Sequence, residues 1–164
     1  MNQRPLNVLV LCTGNSCRSV LGEALINHLG AGRFHAVSAG SRPLGRVNVD
    51  ALATLARHGL PTEGYRSKSM EEFDNAADID IIISVCDSAA GEACPAYFGK
   101  TVRGHWGLAD AAHVVGSPEE VEAAFEATYS TLEKRIHKLL ALPVESMSKQ
   151  NLAEALNKIG AETP

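Results

Sequence analysis

The segment Leu6-Asn7-Val8-Leu9-Val10-Leu11 constrains the fold more than any other part of the chain. Its apolar residues run almost without interruption, where a half-exposed strand would alternate. Such a run suits a strand covered on both faces, at the centre of a parallel sheet. A loop with Gly14 follows, and then Leu21, Ala24, Leu25 and Leu29 recur at helical spacing, with Gly30 closing a helix from Ser19 to Leu29. Strand, loop and helix make one unit, and the pattern repeats. Strands are predicted at Phe34–Ser38, Asp78–Val85 and, more weakly, Val102–Trp106, with a second helix over Asn48–His58.

The last long helix carries its own start signal. Ser117-Pro118-Glu119-Glu120 places a capping serine, proline at the first helical position and glutamate at the third. Val121, Ala124, Phe125, Thr128, Leu132, Ile136 and Leu139 then keep to one face until Pro143. These alternating elements predict a three-layer α/β/α domain over residues 1–143, built on a four-stranded, mostly parallel sheet. Residues 144–164 read as a C-terminal extension. There Leu152, Leu156 and Ile159 mark a short helix that packs on the domain and stops before Gly160, followed by a frayed end.

In open parallel sheets, ligands sit outside the carboxyl ends of the strands. Cys12 and Cys86 both fall at such ends. The composition narrows what the ligand is. A net charge of −4, with basic residues scattered along the chain, argues against nucleic acid. No apolar run reaches the ~20 residues that span a bilayer, and no signal peptide is evident, so the expectation is a cytoplasmic protein away from the membrane. Four cysteines in a reducing compartment do not read as a disulfide framework. Their spacings also lack the close pairs of structural zinc sites, so no metal or cofactor is expected.

The loop Cys12-Thr13-Gly14-Asn15-Ser16-Cys17-Arg18-Ser19 suits a thiolate and a bound oxyanion together. A free thiol has a pKa near ~8.5, so a thiolate at neutral pH needs positive surroundings. The N–H groups and dipole of the following helix supply them. Gly14 lets the backbone turn its amides inward as an anion nest. Arg18 offers a planar fork that matches two oxygens of a tetrahedral anion. Ser19 is placed to hydrogen-bond the thiolate, and Asn15 to brace the loop. Cys17, although inside the loop, reads foremost as a packing thiol.

Cys12 to Ser19 resembles the signature loop of the low-molecular-weight protein tyrosine phosphatases, and Ser38-Ala39-Gly40 after the second strand fits them too. Cys86 with Cys94, and His105-Trp106-Gly107-Leu108-Ala109-Asp110, are similar to the arsenate reductase branch of that superfamily. The resemblance implies Cys12 as nucleophile, Arg18 with the loop amides as oxyanion holders, and Asp110 as general acid. It further implies that Cys86 attacks the Cys12–arsenate adduct and that Cys94 then attacks Cys86. The disulfide would pass to thioredoxin, while glutaredoxin or glutathione could instead resolve the Cys12 adduct.

Two departures from the branch and one from the tyrosine phosphatases stand out. The spacer between Cys86 and Cys94 is one residue longer than usual, and Ala111 replaces the proline that commonly follows the aspartate. Ala111-Ala112-His113-Val114 also lacks the tyrosines that wall the substrate site in tyrosine phosphatases. That lack favours a small inorganic oxyanion over phosphotyrosine, leaving a phosphatase acting on phosphomonoesters as the alternative. In some relatives a potassium ion sits near Asn15, Glu23 and Ser38. Here Lys68 stands near that place, which implies an ammonium in the ion's stead. His105 and Trp106 read as packing at a strand end.

Overall fold

The structure, a computed structural model, describes residues 5–12, 17–40, 42–69, 79–85, 101–108, 111 and 114–162. Strand β1 (Leu6–Cys12) leads to α1 (Arg18–Leu29), β2 (Phe34–Gly40), α2 (Val49–Arg57), β3 (Ile79–Ser84) and β4 (Val102–His105). Helices α3 (Pro118–Leu140) and α4 (Lys149–Glu162) follow, separated by a single 3-10 turn at Val144–Ser146. The strands lie in the order β2-β1-β3-β4 and every pairing is parallel.

β1 is central because its sequence can bury both faces. Val8 and Val10 on one side, and Leu9 and Leu11 on the other, are all fully or almost fully buried. Its partners are in register from Leu6 with Phe34 to Cys12 with Gly40 on the β2 side, and it meets β3 with Leu9 opposite Ile82. Helix α1 is buried nearly all round, because it packs on β1 and β2 and also meets α2 and α3. No helix among the described residues is long and apolar enough to cross a membrane.

The caps explain the helix starts. The Asn48 side chain accepts from the Asp50 and Ala51 amides, and the Ser117 side chain accepts from the Glu120 amide. α2 is tied to α3 through Glu126, which meets Arg57 Nε and His58 Nε2 at 2.7 Å each. The His58 ring also stacks on Tyr129, with centroids 3.8 Å apart.

The C-terminal helix departs from the sequence expectation. It does not stop before Gly160 but runs through it to Glu162. The reason is close packing: a Cβ at Gly160 would collide with the His105 carbonyl oxygen and lie 3.0 Å from Trp106 Cδ1. Glycine is retained for proximity here, and the helix carries its propensity cost. Leu152, Leu156 and Ile159 are buried, and Leu156 sits over Gly104, where a Cβ would come within 2.6 Å of Leu156 Cβ. The helix also satisfies polar groups of the outer strand and the residue after it. Trp106 Nε1 donates to Leu156 O at 2.9 Å, and the His105 amide donates to Asn157 Oδ1 at 2.9 Å. Alanine in an exposed helix interior would gain roughly 1 kcal/mol over glycine. At Gly160 the sign reverses, and Gly160→Ala is expected to destabilise the fold by about 1–3 kcal/mol through overpacking. Urea denaturation of the two proteins checks this, and a stabilised variant would refute the close seating.

Candidate active site

Cys12 is the last residue of β1, opposite Gly40 of β2, and is 4% exposed. The buried strand behind it fixes its position. Cys17 immediately precedes α1, is 5% exposed and begins the helical ladder by accepting from the Leu21 amide. Both are buried thiols. Arg18 opens α1, and Ser19 behind it is fully buried. The helix therefore presents its N-terminal, positive dipole end at Cys17 and Arg18, on the side from which the chain arrives.

The end of β3 arrives at the same place. The Val85 amide donates to Leu11 O at 2.9 Å, so Val85, the residue before Cys86, is bonded to Leu11, the residue before Cys12. A strap from β4 closes this side. The Trp106 amide donates to Ser84 O at 2.7 Å and the Leu108 amide to Val85 O at 2.9 Å. Leu108 O then accepts from Arg18 Nη1 at 2.8 Å, which ties the guanidinium to the strap. Beside it, half-buried His105 has Nδ1 2.8 Å from Ser84 Oγ, and Trp106 is 1% exposed, as its reading as a packing residue expects.

On the β2 side, Ser38 Oγ donates to Glu23 Oε1 at 2.6 Å, and Lys68 Nζ lies 3.9 Å from the same carboxylate. The Lys68 carbonyl accepts from the Gly40 amide, two strand positions past Ser38. Burial pushes the Glu23 carboxyl up, against the Ser38 hydrogen bond and the Lys68 charge that favour ionisation. The chain's own ammonium thus faces Glu23, and a metal ion there would meet a like charge, so the potassium site of some relatives does not fit this cluster.

Thr13, Gly14, Asn15, Ser16, Cys86, Cys94 and Asp110 lie outside the described residues. Of the sequence-derived site, the structure therefore brings together Cys12, Cys17, Arg18 and Ser19, with Lys68, Glu23 and Ser38 alongside. Two contributors escape sequence reasoning. The Leu108 carbonyl that holds Arg18 is a backbone group and leaves no residue-type signal. Arg135 on α3 reaches the strap at Gly107, and it did leave a signal: a cation within an apolar helical stripe, seven residues after Thr128.

Comparison with known proteins agrees with this geometry. Residues 7–155 match the family described as low molecular weight phosphotyrosine protein phosphatase. An arsenate reductase of Halalkalibacterium halodurans is 31% identical over 129 residues, covering 79% of this chain and 91% of that protein. The crystal structure of arsenate reductase from Archaeoglobus fulgidus superposes with a TM-score of 0.68 at 27% identity, covering 82% of this chain and 99% of that one. A tyrosine phosphatase of Erwinia amylovora gives 0.66 at 27% identity, with 87% and 97% covered. A buried cysteine at the end of a central parallel strand, a helix starting at Arg18 and a match over nearly the whole chain lead to one conclusion: the chain belongs to the low molecular weight phosphotyrosine protein phosphatase family.

Proposed function

We propose that the chain is an arsenate reductase that turns arsenate into arsenite through Cys12 and a second thiol. Arsenate is held by the amides of residues 13–19 and the Arg18 fork. The Cys12 thiolate attacks arsenic, and a hydroxyl group leaves as water with a proton from Asp110. Cys86 then attacks the Cys12 sulfur. A sulfur–sulfur bond forms, the sulfur–arsenic bond breaks, and its electron pair stays on arsenic, which leaves as arsenite. Two thiols become one disulfide, which accounts for both electrons. Attack by Cys94 on Cys86 releases Cys12 and moves the disulfide outward. A dithiol protein such as thioredoxin reduces it, while glutathione with glutaredoxin could instead resolve the Cys12 adduct.

The observation that carries the reading is the 2.9 Å bond from the Val85 amide to Leu11 O. The next residue in sequence after each partner is a cysteine, Cys86 after Val85 and Cys12 after Leu11. A phosphatase needs only the second of these. Arsenate-dependent NADPH consumption, with thioredoxin and glutaredoxin systems supplied separately, tests the proposal. Consumption with either supports it and names the donor. None with either, alongside hydrolysis of aryl phosphates, would favour the second reading, a phosphatase like the Erwinia amylovora relative. The missing tyrosines after Asp110 weigh against that second reading.

Arg18→Lys keeps the charge but replaces a planar fork, one arm of which is set by Leu108 O, with a point charge. Turnover is expected to fall about 10²–10³-fold, the usual loss when an oxyanion donor is removed. Steady-state kinetics on arsenate check this, and near-normal rates would reduce Arg18 to a structural cation.

A further inference from the structure

Arg135 lies on the inner face of α3 beside Leu132 and Ile136, and it is 2% exposed. A guanidinium stays charged at any ordinary pH, and burying one is costly unless its donors meet acceptors. Here Nη1 donates to Gly107 O at 3.2 Å and Nη2 to Gly160 O at 3.3 Å. Burial still pulls the Arg135 pKa below the ordinary arginine value. An apolar side chain of similar volume would serve packing at least as well. The use of the cation therefore lies in what it holds.

One group it holds is a peptide of the strap that carries Leu108 O. The Gly107 carbonyl and the Leu108 amide belong to the same planar unit. Arg135 engages the carbonyl, and Val85 O takes the amide hydrogen at 2.9 Å. The next carbonyl along, Leu108 O, accepts from Arg18 Nη1. With its peptide gripped on both edges, the strap presents Leu108 O at a fixed place.

We propose that Arg135 is a positioning residue for the oxyanion site, fixing the Gly107–Leu108 peptide and through it the guanidinium of Arg18. This rests on the reading of Arg18 as an oxyanion holder. The second arm on Gly160 O makes α4 part of the same support, so the last helix steadies the anion site as well as the sheet edge.

The test is phosphate affinity of the full, reduced chain, followed by chemical-shift titration in four proteins: wild type, Arg135→Met, Arg18→Lys and the double variant. Phosphate binding depends on the anion cradle whether the enzyme reduces arsenate or hydrolyses esters. Arg135→Met is expected to weaken phosphate binding about tenfold in the wild-type background, as small misplacements of positioning groups do. In the Arg18→Lys background it should change affinity by less than about twofold, because the group it positions is gone. A merely structural arginine would weaken both backgrounds equally. Equal weakening, or no weakening in the wild-type background, overturns the inference. A wild type that binds no phosphate overturns the oxyanion reading itself and the inference with it. If the methionine variant does not fold, Arg135→Lys keeps the charge without the two-armed bridge and carries the same comparison under the same criteria.

Discussion

Cys12→Ser is expected to abolish arsenate reduction while leaving a folded protein that still binds phosphate. The substitution exchanges sulfur for oxygen at a site that is 4% exposed and held by pairing with Gly40, so the packing change is small. The chemical change is large. A serine hydroxyl stays protonated at neutral pH, and it forms neither the thiol adduct nor the disulfide whose formation supplies two electrons to arsenic. The substitution leaves the loop amides and the Arg18 fork in the chain, so the groups that would hold the anion are kept. Arsenite production, phosphate titration and thermal melting together check the three parts. Substantial residual reduction would remove the central claim.

Cys86→Ser should be as severe for thioredoxin-coupled turnover, by a different route. Without the second thiol, the Cys12 adduct forms and then waits for an outside thiol. The expected result is no NADPH consumption with a thioredoxin system, and at most partial recovery when glutathione and glutaredoxin are supplied. Mass spectrometry of the wild type after one equivalent of arsenate gives the independent readout: a Cys86–Cys94 disulfide supports the relay. A Cys86 thiol that persists after turnover without added thiols would exclude it and strengthen the phosphatase reading.

How far the sequence carried depended on whether a signal was local. β1 was legible because its apolar run has no polar alternation, and only a doubly covered strand uses such a run. α3 was legible because Ser117 is a side-chain cap that accepts from the Glu120 amide, and α2 because Leu52, Leu55 and Ala56 recur at helical spacing before Gly59; the Asn48 cap is the structure's addition. The two ends that frame the proposed anion loop were legible for the same kind of reason, since a strand end at Cys12 and a helix start near Arg18 carry local signals. Gly160 misled because glycine near the end of a periodic stretch is usually a stop. Whether it stops a helix or admits a neighbour depends on His105 and Trp106, more than fifty residues away. Leu108 O was out of reach, because any residue would bring a carbonyl to that place. Lys68 came through resemblance, and its 3.9 Å approach to Glu23 follows from a loop whose path composition does not encode.

The seating of α4 has a use in recognising kindred sequences. Two positions about fifty-six residues apart, Gly104 and Gly160, must both lack a side chain for the helix to come this near. A relative with alanine or larger at both must hold its last helix away by roughly a methyl's thickness, at the packing density of protein interiors. At that distance the indole of a Trp106 equivalent could no longer reach a helix carbonyl, and tryptophan would lose its advantage over phenylalanine there. Glycine, glycine and tryptophan should therefore be inherited or lost as a set. Their joint presence in a sequence would mark a chain whose outer strand is sealed in this way before any coordinates are known.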